Sequence, residues 1–170
     1  VRYRKNRLLK RLRATPLKPF EFLLAQMTSR LILIQVITVA VYIGCDQFIH
    51  FEMRGSYANL FLISLVGAGC LISLGLLVSA RLSSEELAGG ILNLLTWPMM
   101  LLSGVWFSLE GANPVIQRIA RFLPLTHIVD GARAIMTEGA GLTEIAPHLV
   151  VLALMSVVFL AVGSIIFRWE

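Results

Sequence analysis

Four stretches of the chain are apolar over enough length to cross a membrane, and polar residues collect between them. A helix needs about 20 mostly apolar residues to traverse about 30 Å of hydrocarbon. The first stretch lies within Phe22–Ile49 and is best placed at Leu31–Ile49. The second is Leu60–Ala80, the third Leu87–Phe107 and the fourth His148–Phe167. Ahead of the first, Phe20, Leu23, Leu24, Met27, Leu31 and Ile34 recur at helical spacing. This predicts an interfacial amphipathic segment over Phe20–Arg30 that feeds into the span, with Arg30 snorkelling to the headgroups. The alternative for Arg30 is a charge lining a polar path.

The connections differ from one another. "DQFIHFEMRGSYAN" is short and offers no evident task. "RLSSEE" reads as a tight turn in which Ser83 or Ser84 caps the next helix and Glu85 and Glu86 favour its N-terminus. The last connection, Ser108–Pro147, runs for 40 residues, far longer than most. It carries helix signals of its own: Asn113 as N-cap with Pro114 at the first helical position, then an apolar stripe of Val115, Ile116, Ile119, Phe122 and Leu123. Pro124 breaks that helix, and "THIVDGARAIMTEGAG" restarts it with Thr126 as cap and Gly139 and Gly141 as stops. Because lipid does not accept irregular unpaired backbone, a re-entrant or interfacial helical pair over 113–137 is expected rather than a plain soluble loop. The fold class is therefore an all-α polytopic membrane protein with four transmembrane helices and a helical pair, residues 20–170 forming the membrane domain.

Composition agrees. The 170-residue chain is 57% hydrophobic and 15% charged, with mean hydropathy +0.80, whereas soluble domains carry about 25% charged residues. Such a chain cannot cover its surface with polar groups, so bilayer is its solvent. The net charge of +5 does not point to nucleic acid, because it is concentrated at one end of a very apolar chain. Eight of the fifteen Lys and Arg residues fall between Arg2 and Lys18. With four spans both ends share a side, and that side holds ten basic residues against four on the other, Arg30 aside. Positive loops stay cytoplasmic, so both ends are placed there. Cys45 and Cys70 make no disulfide framework, and no secretory signal peptide is visible.

Chemistry inside the spans is sparse. Small residues recur at four-residue spacing (Ser64 with Ala68, Gly69 with Ser73, Gly75 with Ser79, Ala153 with Val157 and Ala161), which permits close helix contact. Pro98 frees a carbonyl near Leu94 and predicts a kink. Asn93 and Gln35 are expected to face other helices. No phosphate-binding loop exists: Lys5, Lys10 and Lys18 are the lysines, and none follows Gly. His50, His127 and His148 are scattered; His127 and Asp130 share a helix face, but two ligands do not fix a metal. Asp130 and Arg133 are spaced as a helix ion pair. Nothing here argues for a catalyst or for a cofactor held by this chain.

Two blocks carry a resemblance. "LLKRLRATPLKPFEFLLAQ" and "MMLLSGVWFSLEGANPVIQRIARFLPLTHIVDGARAIM" resemble the C-terminal part of a type 2 ATP-binding cassette exporter permease, over nearly the whole chain. Ser108 departs from the Pro that many members have. The resemblance implies that two further spans precede Val1 and that residues 1–19 are a basic cytoplasmic coupling segment docking on a separate ATPase, which holds ATP and Mg. Leu8, Leu9, Leu12 and Leu17 would be its apolar contacts, Arg11 and Arg13 its polar ones, and Pro16 and Pro19 would set the turn into the membrane. It further implies a second permease copy, a bacterial inner-membrane location, and an outer gate at Asn113–Thr137 with Asn113, Pro114, Arg121, Pro124, Asp130 and Arg133. The exported substrate would be hydrophobic or amphipathic: a drug, lipid or glycolipid. A different reading of the same residues is a non-transporting membrane anchor whose basic arm recruits a cytoplasmic partner.

Overall fold

A computed structural model of the chain describes residues 19–49, 53–80, 82, 84–106 and 113–166. Every regular element among them is helical: α1 Pro19–Ile49, α2 Tyr57–Ser79, α3 Glu85–Leu102, α4 Pro114–Ala120, α5 Pro124–Arg133 with a π-helical turn Ala134–Glu138, and α6 Leu142–Ile166. Three helices are long and apolar enough to cross a membrane, over Leu24–Phe48, Tyr57–Ser79 and Leu142–Ile166, and α3 is a shorter apolar helix. The protein is an all-α polytopic membrane protein.

The boundaries depart from the sequence expectation in ways the chain explains. The amphipathic segment and the first span are one continuous helix, α1, of 31 residues, rising about 46 Å at about 1.5 Å per residue. Arg30 is exposed on its side. In contrast, α3 stops at Leu102, short of Phe107, giving 18 residues and a rise of about 27 Å. Apolarity continues through Val105 and Trp106, but Gly104 takes φ +76°, a left-handed turn that an L side chain resists. Pro98 sits inside α3 without ending it. The last helix begins at Leu142, six residues before His148, with Pro147 tolerated in its second turn.

The bundle is organised around α2. Its buried Leu60, Ile63 and Cys70 pack with Ile145 and Leu152 of α6 and with Ile135 and Ala140 from the segment before α6. A smaller cluster joins Ile72 and Leu76 of α2 to Leu160 of α6, with Met27 and Leu31 of α1 against it. Lipid is as apolar as leucine, so this packing rests on close contact and hydrogen bonds rather than on escape from water. Gly69 lies against Met27 and Leu31, and Gly163 against the Leu77 backbone. Ser73 Oγ donates to the Gly69 carbonyl at 2.7 Å. Its one proton is then committed, so Ser156 Oγ donates across the α2–α6 interface at 2.9 Å.

Two packing expectations change. Ala153, Val157 and Ala161 are exposed, and the face of α6 that packs carries Leu152, Ser156, Leu160 and Gly163. Asn93 is likewise exposed on α3, where Ala88 and Met99 are the buried hydrophobic side chains. Gln35 does face another helix, with 6% of its surface exposed.

Candidate functional site

The sequence places its richest polar chemistry in the connection before α6, and the fold sets that connection across one end of the bundle. The cap so formed contains α4, α5, the π-helical turn and the short stretch Met53–Ser56. Asn113 caps α4, its Oδ1 accepting from Val115 N at 2.9 Å, and Pro114 fills the first helical position. Pro124 does not merely end α4. It is buried at the start of α5, whose N-cap is Leu123 rather than Thr126. Thr126 instead directs its hydroxyl to the Leu102 carbonyl at 3.4 Å.

Arg133 completes the tie to α3. Its Nη2 donates to the Gly104 carbonyl at 2.8 Å, and among the described residues no ion pair joins it to Asp130. Helix C-termini leave carbonyls without intrahelical partners, so α5 supplies donors to the frayed end of α3. The two helices of the cap have different environments. Ile128 of α5 packs on Gly67, and Gly131 receives Ile63; this helix dips into the protein. The stripe on α4 and the turn after it faces outward, with Val115, Ile119 and Phe122 exposed, Phe122 at 79%.

Beyond α5 the chain makes a π-helical turn, an element that recurs at functional sites. Arg54 N donates to the Met136 carbonyl at 3.3 Å, and Asn59 Nδ2 to the Ala140 carbonyl at 3.5 Å. Gly55 presses on the Ile135 carbonyl, and Gly139, with φ +73°, lies against Arg54. Glu144 Oε2 accepts from Gly141 N at 2.7 Å, holding the start of α6.

The sequence did not reveal one pairing in the cap. His127 Nδ1 of α5 and His148 Nδ1 of α6 lie 3.1 Å apart, and His127 Nε2 is 2.8 Å from the Arg121 carbonyl. At a separation of 21 positions, no local spacing could bring these rings together. Asp130 stands one turn along α5 from His127. No group of three or more potential ligands forms a metal site among the described residues.

Two polar features lie below the cap. Between α1 and α2 is a cavity of about 450 Å³ lined by Val39, Tyr42, Ile43 and Phe61, with Tyr57 donating to Asp46 at 3.0 Å. Its volume falls in the range of small-molecule clefts. Deeper in the bundle, Gln35 Oε1 is 3.3 Å from Ser64 Oγ, whose proton goes to the Phe61 carbonyl at 2.8 Å, and Gln35 Nε2 has no partner. Exchanging the amide's O and N lets Nε2 donate to Ser64 and orphans Oε1 instead. Either orientation leaves one buried polar atom unpaired. The coupling residues Leu8, Leu9, Arg11, Leu12, Arg13, Pro16 and Leu17 lie outside the described residues.

A helical membrane bundle with a part-inserted cap is thus the class of molecule. The chain belongs to the ABC-2 family transporter protein family, which it matches over residues 1–165. It is 24% identical over 169 residues to "Inner membrane transport permease YhhJ" of Escherichia coli, covering 99% of this chain and 45% of that protein. It is 37% identical over 82 residues to "Nodulation protein J" of Neorhizobium galegae, covering 48% of this chain and 31% of that protein. Similarity to "Linearmycin resistance permease protein LnrN" of Bacillus subtilis is 31% over 87 residues, 51% of this chain and 21% of that one. The chain therefore spans less than half the length of these relatives. No solved structure matches it.

Proposed function

We propose that the chain belongs to a membrane permease that exports a hydrophobic or amphipathic substrate, driven by ATP hydrolysed on a separate ATP-binding cassette subunit. The observation carrying this reading is the family match over 1–165. The ATPase holds ATP and Mg; this chain contributes the membrane path, paired with a second permease copy, in a bacterial inner membrane with both ends cytoplasmic. Residues 1–19 dock on the ATPase through Leu8, Leu9, Leu12 and Leu17, with Arg11 and Arg13 as polar contacts and Pro16 and Pro19 setting the turn. Closure of the ATPase dimer moves that segment, and α1, continuous from Pro19 to Ile49, carries the motion across the bilayer.

The cap is the outer gate. Pro124 seats α5, Asp130 and Arg121 lie at the histidine contact, and Arg133 ties α5 to the end of α3. Asn113 and Pro114 begin α4, whose apolar stripe rests in the outer membrane–water interface. A displacement of α5 is therefore felt at both α3 and α6. The test is charge reversal in the complete protein, Arg11→Glu with Arg13→Glu. ATPase association and substrate-stimulated hydrolysis should both fall at least tenfold. Persistence of both would refute the coupling role.

A further inference from the structure

His127 and His148 make a contact in the cap whose existence depends on proton count. A carbonyl carries no proton, so the 2.8 Å contact to Arg121 O requires the proton of His127 on Nε2. In the neutral ring its Nδ1 is then a bare acceptor. The 3.1 Å Nδ1···Nδ1 contact is consequently donated by His148, which must hold its proton on Nδ1. Both tautomers follow from the geometry alone.

We propose that this pair is a two-proton latch holding α5 against α6. One added proton is accommodated on His148 Nε2, and the Nδ1–H···Nδ1 bond persists, now charge-assisted. A second must go to His127 Nδ1, where it meets the N–H of His148 head-on. The hydrogen bond is then lost and two cations face each other at contact distance. The latch therefore passes from closed to open as pH falls, and the steps belong to the pair rather than to either ring.

The surrounding charges set where this falls. Asp130 stands on α5 one turn from His127. On α6, Glu144 is engaged by Gly141 N; on α5, Arg133 is engaged by Gly104 O. Arg118 on α4, Arg121 at its end, Glu138 on the π-helical turn and Arg54 beside that turn are exposed. The ionisable side chains of α2 are Tyr57 and Cys70, those of α3 are Glu85 and Glu86 in its first turn, and α1 brings Glu21, Arg30, Tyr42, Cys45 and Asp46, the last engaged by Tyr57. Opening would remove this polar tie between α5 and α6 while Ile128 and Gly131 keep α5 on α2, so the cap loosens on one side. That it senses the pH outside the cell rests on the orientation proposed above; the latch itself does not.

The experiment is ¹⁵N-histidine NMR of the complete protein in lipid nanodiscs across pH 8 to 4.5, a readout independent of transport. At pH 8 His127 should be the Nε2–H tautomer and His148 the Nδ1–H tautomer, and acidification should give two coupled steps. His148→Gln should leave His127 with a single step. An Nε2–H tautomer at His148 in the wild-type protein, or a His127 titration indifferent to His148→Gln, would overturn the latch.

Discussion

Ile128 fills the space that a side chain at Gly67 would need: a Cβ placed on Gly67 would lie 2.6 Å from Ile128 Cγ1 and 2.7 Å from Cδ1. This contact seats α5 in the bundle. Gly67→Leu should therefore overpack the interface, at a cost of about 1–3 kcal/mol, seen as a lower melting temperature in detergent. Ile128→Ala in the same background should recover part of the loss. A Gly67→Leu protein as stable as wild type would place α5 elsewhere.

Ser73 and Ser156 join α2 to α6 inside the bundle. Interhelical hydrogen bonds in membranes average about 0.6 kcal/mol by double-mutant cycles. Ser73→Ala and Ser156→Ala should each destabilise by about that amount, and the double variant by less than their sum. Strict additivity in thermal unfolding would show the hydroxyls to be uncoupled.

Gln35 is predicted to be a liability for stability. One of its amide atoms is buried without a partner, a deficit of about 1–3 kcal/mol, and Ser64 keeps its bond to the Phe61 carbonyl without it. Gln35→Met, similar in volume, should match or exceed wild-type melting temperature. A marked loss of stability would mean that the amide has a partner in the folded protein.

Gly139 closes the π-helical turn with φ +73°, and a Cβ there would lie 3.2 Å from the Arg54 carbonyl oxygen. Gly139→Ala should destabilise by roughly 1–2 kcal/mol, and Gly139→Asn by less, because asparagine tolerates the left-handed region. Melting temperatures of the two variants check the order.

Much of this architecture is visible in the order of residues, for reasons that also mark its limits. Long apolar runs announce α1, α2 and α6, and Asn113–Pro114 announces α4, because these signals are local. The end of α3 was overrun because Val105 and Trp106 stay apolar beyond Gly104, whose backbone, not its hydropathy, stops the helix. Small-residue spacing locates an interface on α2, at Gly69 and Ser73, whereas on α6 the face packed within this chain carries Ser156 and Gly163 and leaves Ala153, Val157 and Ala161 outward: Ala153 and Ser156 both suit close packing, and register decides between them. Pro124 fits the end of one helix and the start of the next equally well. Within the cap, Asp130 and Arg133 suggested an ion pair from spacing alone, while the nearby Gly104 carbonyl takes the guanidinium. The His127–His148 contact needs the tertiary fold.

The side of the membrane that the cap occupies decides whether it can be an outer gate. Single cysteines at Arg118 and at Arg11, in a Cys45→Ala, Cys70→Ala background of the complete protein, can be challenged with a membrane-impermeant maleimide in intact cells. Arg118→Cys, exposed on α4, should label at once, and Arg11→Cys only after permeabilisation. Labelling of Arg11→Cys in intact cells with Arg118→Cys protected would contradict the account.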